Sequence, residues 1–305
     1  MSKHQWFQEL QTTIKEGILK IDEPLCKYTA TKLGGKADLL VMPQTIDETI
    51  ATVRYAYERN IPLLLLGNGS NMVVRDGGVR GIVLHPKQLN KIIVEGTSIH
   101  AESGANIIDA SREAAKHSLT GFEFACGIPG SIGGAMMMNA GAYGGEVKDI
   151  IVQATVLTKS GDVLVLSKDE LELGYRQSII GKEGYYVLSA DFKLVKGEQE
   201  AIDAKVADLT NQRESKQPLE YPSAGSVFKR PTGYFAGKLI QDCGMQGKGH
   251  GGAEVSTKHA GFIINKDNAT ASDYIHTIEM VKAKVKKIFD VDLELEVRIV
   301  GEEKA

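Results

Sequence analysis

Residues 126–145 read CGIPGSIGGAMMMNAGAYGG, a segment far richer in glycine than the chain as a whole. Eight of the 25 residues from Gly121 to Gly145 are glycine, against 33 in all 305. Glycine loses more conformational entropy on folding than any other residue, so such a run is stable only where something packs closely against its backbone. A large flat ligand with a pyrophosphate group would pack in this way. A close-packed structural bend is the alternative.

A second glycine loop, LGNGSN at residues 66–71, ends the apolar run Ile61–Leu66, which is typical of a strand buried on both faces. Successive glycines let backbone N–H groups converge on an anion, and asparagine and serine add further donors. The loop lacks the dinucleotide fingerprint GxGxxG, because Met72 stands where the third glycine should be. It is not a P-loop either, because no Lys-Ser/Thr pair follows. A plain tight turn is the alternative here.

The composition of the chain narrows the classes of protein to consider. Hydrophobic residues are 42%, charged residues 25% and the net charge is −3, which excludes a generally basic nucleic-acid or membrane-surface binder. No apolar run approaches the ~18–20 residues of a transmembrane helix, and Met1–Leu10 lacks the apolar core of a secretory signal. Three separated cysteines without a CxxC pair favour reduced thiols and a cytoplasmic location. The seven histidines lack metal-ligand spacing, so no metal is expected.

Hydrophobic periodicity predicts both helices and strands along the chain, and therefore an α+β fold. Helices are predicted over Trp6–Ile18, from a cap at Asp47 to Arg59, over Ile107–His117, over Glu198–Lys216 and over Ser272–Phe289, the last capped by Ser272. Strands are predicted at residues 37–42, 61–66, 72–75, 81–84, 91–94, 98–102, 150–158, 162–167, 185–195 and 293–300. The charged helix at 198–216 is a candidate domain boundary.

Several motifs together resemble those of the UDP-N-acetylenolpyruvoylglucosamine reductases (MurB), a family within the FAD-binding superfamily of vanillyl-alcohol oxidase and p-cresol methylhydroxylase. The matching motifs are TxxGG at 31–35, GNGSN at 67–71, GIPGSIGG at 127–134, YRxS at 175–178, RxxKxP at 213–218, AGSxFKxP at 224–231, AGxLI at 236–240 and LEVR at 295–298. The glycine loops alone would specify only the superfamily. The motifs around Arg176, Ser226 and Glu296 specify the family, and the resemblance extends in order from about residue 25 to 301.

The resemblance implies reduction of UDP-N-acetylglucosamine enolpyruvate to UDP-N-acetylmuramate, a step of peptidoglycan precursor synthesis. NADPH would reduce a non-covalently bound FAD and leave, and the UDP-sugar would then bind in the same cleft. Hydride would pass from the flavin to the methylene carbon, and the neighbouring carbon would accept a proton. Negative charge collects on the substrate carboxylate in between, so the reaction needs a charged partner for the carboxylate and a proton donor beside the carbon. We expect a monomer with no nucleic-acid or membrane partner.

Three catalytic residues are implied by the resemblance. Arg176 would bind the substrate carboxylate, Ser226 would donate the proton, and Glu296, on the polar face of the last predicted strand, would also stabilise the intermediate. Arginine suits its role because a guanidinium can make two hydrogen bonds to a carboxylate and keeps its charge. The residues alone leave open a surface arginine, a turn or capping serine and an exposed charged strand face.

The resemblance also implies binding residues and a division into domains. The cofactor-binding residues are Gly34, Gly35, Gly67, Asn68, Gly69, Ser70, Asn71, Gly127, Ile128, Pro129, Gly130, Ser131, Gly133 and Gly134. The substrate-binding residues are Tyr175, Lys216, Lys229, Arg230 and His259, with Arg230 standing where the family commonly has asparagine. A first FAD-binding subdomain is expected at 1–80, completed by 291–305, a second at 81–205, and a smaller α+β substrate-binding domain at 206–290.

The segment after the strand predicted at 185–195 distinguishes two types within the family. Some members carry there an extra loop with a tyrosine that closes over the substrate. Because Val195–Glu198 leads almost directly into a helix, this chain resembles the type that lacks the loop. Two other functions are weighed beside the reductase: a flavin oxidoreductase of the same superfamily acting on a small hydroxy acid or alcohol, and a non-catalytic nucleotide-binding module.

Overall fold

The computed structural model describes residues 2–304, which fold into two compact units. The first unit contains the residues up to Ile21, Asp38–Asn68 and Gly81–Arg213. The second contains Asp22–Ala37, Gly69–Arg80 and the residues from Glu214 onward. The last boundary falls inside the helix predicted at 198–216. The division into three parts at 1–80, 81–205 and 206–290 stays a prediction.

The helices alternate with short strands along the whole chain. The helices are α1 (Lys3–Gln11), α2 (Ile46–Glu58), α3 (Ile107–Lys116), α4 (Ile132–Met137), α5 (Val147–Ile150), α6 (Ile179–Glu183), α7 (Gln199–Lys216), α8 (Ala236–Asp242) and α9 (Ala271–Phe289), with 3-10 turns at Leu25–Lys27 and Glu123–Ala125. Within residues 2–304, none of these helices has the length and hydrophobicity needed to cross a bilayer.

The strands form small sheets. They are β1 (Ile18–Pro24), β2 (Lys36–Met42), β3 (Leu63–Leu65), β4 (Met72–Val74), β5 (Val79–Leu84), β6 (Ile92–Glu95), β7 (Ser98–Glu102), β8 (Leu119–Thr120), β9 (Gly141–Ala142), β10 (Gly145–Glu146), β11 (Ile151–Leu157), β12 (Val163–Ser167), β13 (Tyr186–Lys193), β14 (Val195–Lys196), β15 (Ser223–Ser226), β16 (Gly249–His250), β17 (Ala253–Val255), β18 (Phe262–Asn265) and β19 (Arg298–Val300).

An antiparallel five-stranded sheet of order β12-β11-β13-β7-β6 carries the main core of the first unit. Helices α3 and α4 supply Ile107, Ala110 and Ile132 to this core, and all three side chains are fully buried. A four-stranded sheet of order β1-β2-β5-β3 packs with α1 and α2 around Leu39 and Val41. Burial of these apolar faces at ~25 cal/mol per Å² supplies most of the stabilisation.

In the second unit, α9 packs on the antiparallel sheet β15-β18-β17-β16. Tyr274, Ile278, Val281 and Val285 of α9 are fully buried, at the three- and four-residue spacing predicted for one helix face. The Tyr274 hydroxyl donates to the Ile263 carbonyl at 2.9 Å, which satisfies the buried polar group. The final strand β19 pairs in parallel with β4.

Two helix caps lie two residues before their predicted positions. Thr45, not Asp47, caps α2, and Thr270, not Ser272, caps α9 through a reciprocal capping box with Asp273. The Ser272 hydroxyl instead donates to Asp76 at 2.6 Å. Threonine accepts the same backbone N–H bonds as serine or aspartate, so periodicity alone did not distinguish neighbouring candidates.

Three predicted elements are shorter than expected. The helix predicted over Trp6–Ile18 ends at Gln11, where the Thr12 hydroxyl donates to the Glu9 carbonyl. The run Ile61–Leu66 forms strand only at its centre, whose leucines are half-buried because β3 lies at a sheet edge. The strand predicted over residues 293–300 is regular only at β19. The Val227 carbonyl accepts from both Glu296 and Val297, which interrupts the alternation, so Glu296 does not lie on a regular strand face.

Candidate functional site

In the first unit, residues 127–131 form a loop that leads into helix α4, and residues 132–134 lie in the first turn of that helix. The Ser131 hydroxyl caps this helix by accepting from the Gly134 N–H at 3.2 Å. The Ile132 and Gly133 N–H groups donate to the carbonyls of Ala105 and Ser103 at 2.8 and 2.9 Å. The first turn of α4 is therefore fixed to the segment that follows β7.

Three of the predicted cofactor-binding glycines leave room for protein atoms rather than for a ligand. A Cβ on Gly67 would lie 2.7 Å from Ser131 Oγ, and one on Gly127 would lie 2.6 Å from Arg213 Cδ. A Cβ on Gly133 would lie 3.2 Å from the Cβ of Ser103. The chain thus packs against itself at these positions, which is the structural alternative to a ligand.

Gly134 is different. It is exposed, and the nearest atom to a Cβ there would be Ser131 Oγ at 3.4 Å, an ordinary van der Waals contact. A side chain at this position would fit the protein, so packing does not explain the glycine. Gly134 presents bare backbone on which a flat ligand or a pyrophosphate group fits.

The second half of the glycine-rich segment forms a tight hairpin between β9 and β10. Its two turn residues, Tyr143 and Gly144, have φ angles of +54° and +87°. Two positive φ angles are typical of the tight turns that match the twist of paired strands. Gly144 is therefore explained by the turn itself.

Asn68 is oriented by a chain of polar side chains. Its Nδ2 donates to Asn106 Oδ1 at 2.8 Å, and Asn106 Nδ2 donates to Asp109 Oδ2 at 2.7 Å. An ionised carboxylate only accepts hydrogen bonds, so Asp109 determines which end of each amide faces its neighbour. Sequence analysis missed Asn106 and Asp109, which lie 38 and 41 residues after Asn68.

Arg176 lies at the tip of a two-residue turn, hereafter the Arg176 turn (residues 174–177). Gly174 and Gln177 exchange backbone hydrogen bonds of 3.1 and 3.3 Å around Tyr175 and Arg176. Arg176 has a φ of +55°, which is uncommon for a residue other than glycine and is typical of functional sites. Its guanidinium carbon lies 5.2 Å from the centre of the Tyr175 ring, which is 56% exposed.

In the second unit, a β-bulge places Ser226 on the surface. The pairing of β15 with β18 shifts register between Ser223 and Ser226, and Gly225 within the bulge has a φ of +72°. Bulges re-aim side chains and are frequent next to active sites. Ser226 is exposed, and within residues 2–304 its hydroxyl has no hydrogen-bond partner. This arrangement leaves the hydroxyl available to a ligand.

Glu296 is held beside this bulge through its backbone. Its N–H donates to the Val227 carbonyl at 2.8 Å, and its carbonyl accepts from Asn71 Nδ2 at 3.0 Å. The Arg298 N–H donates in turn to the Asn71 carbonyl at 3.1 Å. The second unit therefore brings together three predicted site segments that are far apart in sequence: Asn71, Ser226 and Glu296.

The remaining predicted cofactor residues of this unit are in close contact with its backbone. A Cβ on Gly35 would lie 2.2 Å from the Asp76 carbonyl oxygen, and one on Gly69, whose φ is +59°, would lie 2.5 Å from the Tyr28 carbonyl oxygen. Gly34 has a φ of +132°. Each of these glycines is required by the packing of the unit, and contact with a cofactor stays a prediction.

The predicted substrate-binding side chains of the second unit already have local partners. Lys229 Nζ lies 3.3 Å from Glu294, and the Arg230 guanidinium carbon lies 4.0 Å from the centre of the Phe235 ring. His259 is half-buried and accepts from the Gly261 N–H through Nδ1 at 3.1 Å. Burial lowers the pKa of His259, so its ring is neutral at pH 7 with the proton on Nε2. Lys216 is exposed.

An N-terminal and a C-terminal segment of the chain each match a known protein family. Residues 217–300 match the model of the UDP-N-acetylenolpyruvoylglucosamine reductase C-terminal domain, and residues 37–167 match that of an FAD binding domain. The chain is 60% identical to the UDP-N-acetylenolpyruvoylglucosamine reductase of Geobacillus kaustophilus over 98% of both chains. It is 58% identical to that of Exiguobacterium sibiricum over 97% of this chain and 99% of the relative.

Comparison with solved structures gives the same family. The UDP-N-acetylenolpyruvylglucosamine reductase of Thermus caldophilus has a TM-score of 0.80 and 31% identity, covering 93% of this chain and 98% of its own. An alkyldihydroxyacetonephosphate synthase shares only the fold, with a TM-score of 0.50 and 18% identity over 63% of this chain and 41% of its own. The predicted fold class is confirmed: an FAD-binding domain and a smaller C-terminal domain, in a chain of mixed helices and strands. FAD is the cofactor, and the bare backbone at Gly134 fits it.

Proposed function

We propose that this chain, which belongs to the UDP-N-acetylenolpyruvoylglucosamine reductase family, converts UDP-N-acetylglucosamine enolpyruvate to UDP-N-acetylmuramate with electrons from NADPH. This step would serve peptidoglycan precursor synthesis in the cytoplasm. When bound, FAD supplies a carrier that takes hydride from NADPH and delivers it to the substrate. NADPH and the UDP-sugar would use one cleft in turn, and the enzyme would act as a monomer.

The observation that carries this proposal is the exposed Ser226 hydroxyl at the bulge, with Glu296 tethered beside it by Val227. The reaction adds a hydride to the methylene carbon and a proton to the carbon that bears the ether oxygen, so two hydrogens enter across one double bond. Ser226 Oγ would deliver the proton. A serine is a weak acid and suits only a strongly basic acceptor, which the carbanion-like intermediate is.

Arg176 and Glu296 would act on the charge that develops on the substrate carboxylate. The guanidinium of Arg176 would bind the carboxylate through two hydrogen bonds and keep its charge throughout. A glutamate favours an anionic intermediate only in its protonated form, as a hydrogen-bond donor, so Glu296 would act as the neutral acid.

The proposed substrate-binding residues are those predicted from sequence: Tyr175, Lys216, Lys229, Arg230 and His259. The diphosphate needs local cations that the net charge of −3 does not supply. Lys229 would have to exchange Glu294 for phosphate, which is feasible because both side chains of that ion pair are solvent-exposed and weakly coupled. His259, as a neutral ring, would donate from Nε2.

The two half-reactions, followed separately, test the proposed function. Under anaerobic conditions NADPH should bleach the flavin absorbance, and the enolpyruvyl UDP-sugar should restore it with formation of UDP-N-acetylmuramate. UDP-N-acetylglucosamine, which lacks the enolpyruvyl group, serves as the control and should leave the flavin reduced. Bleaching by a small hydroxy acid or alcohol, without NADPH, would instead support a different oxidoreductase of the superfamily.

Gly134 provides a test of the FAD site. Gly134→Val should weaken FAD binding at least about tenfold, because its side chain would occupy the bare backbone surface. The apo-protein should stay folded, since a Cβ at this exposed position would make only an ordinary van der Waals contact and glycine is itself a poor helix former. FAD affinity by fluorescence quenching and the apo-protein Tm measure the two effects.

Gly133 is the matched control for this variant. Gly133→Val should lower the Tm of the apo-protein, because its Cβ meets Ser103. Wild-type FAD affinity in the Gly134 variant would exclude this position from the cofactor site.

A further inference from the structure

Asn139 is a fully buried polar residue behind the Arg176 turn. Its Nδ2 donates to Glu146 Oε2 at 2.8 Å and to the Gly174 carbonyl at 3.1 Å, and its Oδ1 accepts from the Lys148 N–H at 2.9 Å. Both amide hydrogens and the amide oxygen are therefore paired. A buried polar group with all its partners is rigid, because any rotation leaves groups unpaired in a low dielectric.

The orientation of the Asn139 amide follows from its partners. Glu146 forms an ion pair with Lys148, and a carboxylate in an ion pair only accepts hydrogen bonds, so the NH2 end of the amide faces it. The Lys148 N–H requires an acceptor and fixes the oxygen on the other side. The backbone of Asn139 has a φ of +44°, a region that asparagine tolerates better than most residues. The hydrogen bonds and the backbone φ together explain why asparagine occupies position 139.

The Arg176 turn is attached at both ends to the same short segment. Asn139 holds the Gly174 carbonyl, and the Ser178 hydroxyl donates to the Met137 carbonyl at 2.6 Å. Between these two attachments lie only three residues, Arg176 among them, with its backbone in the left-handed region. Such a conformation costs free energy and persists only where the surroundings impose it.

We propose that Asn139 is a positioning residue for the reduction: it holds the Gly174 end of the turn so that Arg176 presents its guanidinium to the substrate carboxylate. The inference rests on the proposed function, because Arg176 meets a substrate only there. Met137 is the last residue of α4 and Asn139 follows it two residues later, while Gly133 and Gly134 lie in the first turn of the same helix. One continuous segment therefore carries the FAD loop at one end and the support of Arg176 at the other.

Asn139→Gly tests this role, because glycine accepts the φ of +44° and lacks the amide that makes the three hydrogen bonds. Reoxidation of the reduced flavin by the enolpyruvyl UDP-sugar should slow ~10–100-fold, the loss expected from misplacing a catalytic group. Flavin reduction by NADPH and FAD content should stay within about twofold of wild type. Ser111→Ala, which removes a buried hydrogen bond from α3 to the Phe122 carbonyl, is the matched control and should leave both half-reactions unchanged.

A double-mutant comparison separates positioning from general structural damage. If Asn139 acts through Arg176, Asn139→Gly should slow reoxidation no further in an Arg176→Ala background. The same slowing in both backgrounds would overturn the inference, as would equal losses in both half-reactions. A wild-type protein that the UDP-sugar cannot reoxidise would instead refute the proposed function. If Asn139→Gly does not fold, Asn139→Ser, a smaller truncation, is compared in the same two backgrounds with the same criteria.

Discussion

Replacing Ser226 by alanine is expected to slow reoxidation of the reduced flavin by the enolpyruvyl UDP-sugar ~10²–10⁴-fold, the usual effect of removing a positioned general acid. Flavin reduction by NADPH should stay nearly intact, because that half-reaction transfers only hydride and needs no proton on carbon. The exposed hydroxyl at the bulge after Gly225 is the proposed donor. Rapid-mixing absorbance of the flavin measures each half-reaction separately.

Two further variants sharpen this test. Ser226→Cys should restore part of the rate, because a thiol is more acidic than a hydroxyl. Ser223→Ala, at the other end of β15, should leave both half-reactions unchanged. A merely structural Ser226 predicts a modest loss of stability with both half-reactions slowed alike, and that result would remove the proton-donor assignment.

The long amphipathic helices were predictable from sequence because their stability comes from one apolar face. The predictions at 107–117, 198–216 and 272–289 agree with α3, α7 and α9 to within one residue at each end. Helices α4, α5, α6 and α8 were not predicted. They are short, and α4 contains Gly133 and Gly134, which are poor helix formers. Hydrogen bonds from Ile132 and Gly133 to a distant segment hold α4 in place, and local propensity carries no signal of them.

Close packing against the glycine backbone was predicted correctly, but the group that packs there was not. Something does pack against the backbone at Gly67, Gly127 and Gly133, but it is a protein side chain in each case. Composition cannot distinguish a side chain that approaches from elsewhere in the chain from a cofactor. The distinction needs coordinates, and they show that a Cβ on Gly134, unlike one on Gly67, Gly127 or Gly133, would make only an ordinary van der Waals contact.

Motif resemblance predicts Arg176, Ser226 and Glu296 as catalytic residues, but not the contacts that hold their segments. Asn139 meets Gly174 across 35 residues, and Asn71 meets the Glu296 carbonyl across 225. Such side chain–backbone contacts leave no periodicity in the sequence. The bulge that exposes Ser226 was equally invisible, since a glycine before a serine is also consistent with an ordinary turn.

Removing the guanidinium of Arg176 should impair the reaction without affecting the cofactor. Arg176→Ala should slow reoxidation by the UDP-sugar ~10²–10³-fold, as expected when one donor to a developing anion is lost. Arg176→Lys keeps the charge but loses the paired hydrogen-bond geometry, so a loss of ~10–100-fold is expected. FAD content and reduction by NADPH should be unchanged. Arg59→Lys, an arginine that pairs with Glu9 on the first unit, is the control.

Stability measurements on Arg176 distinguish a functional residue from a surface arginine. Because Arg176 has a φ of +55°, Arg176→Gly should leave the Tm unchanged or raise it, whereas β-branched Arg176→Val should lower it. Both variants should lose reoxidation activity to the same extent as Arg176→Ala. If the glycine variant is at least as stable as wild type but inactive, the arginine is not needed for stability. Its strained backbone conformation is then explained by its role in the reaction. Wild-type turnover in Arg176→Gly would show that Arg176 is a surface arginine with no role in the reaction.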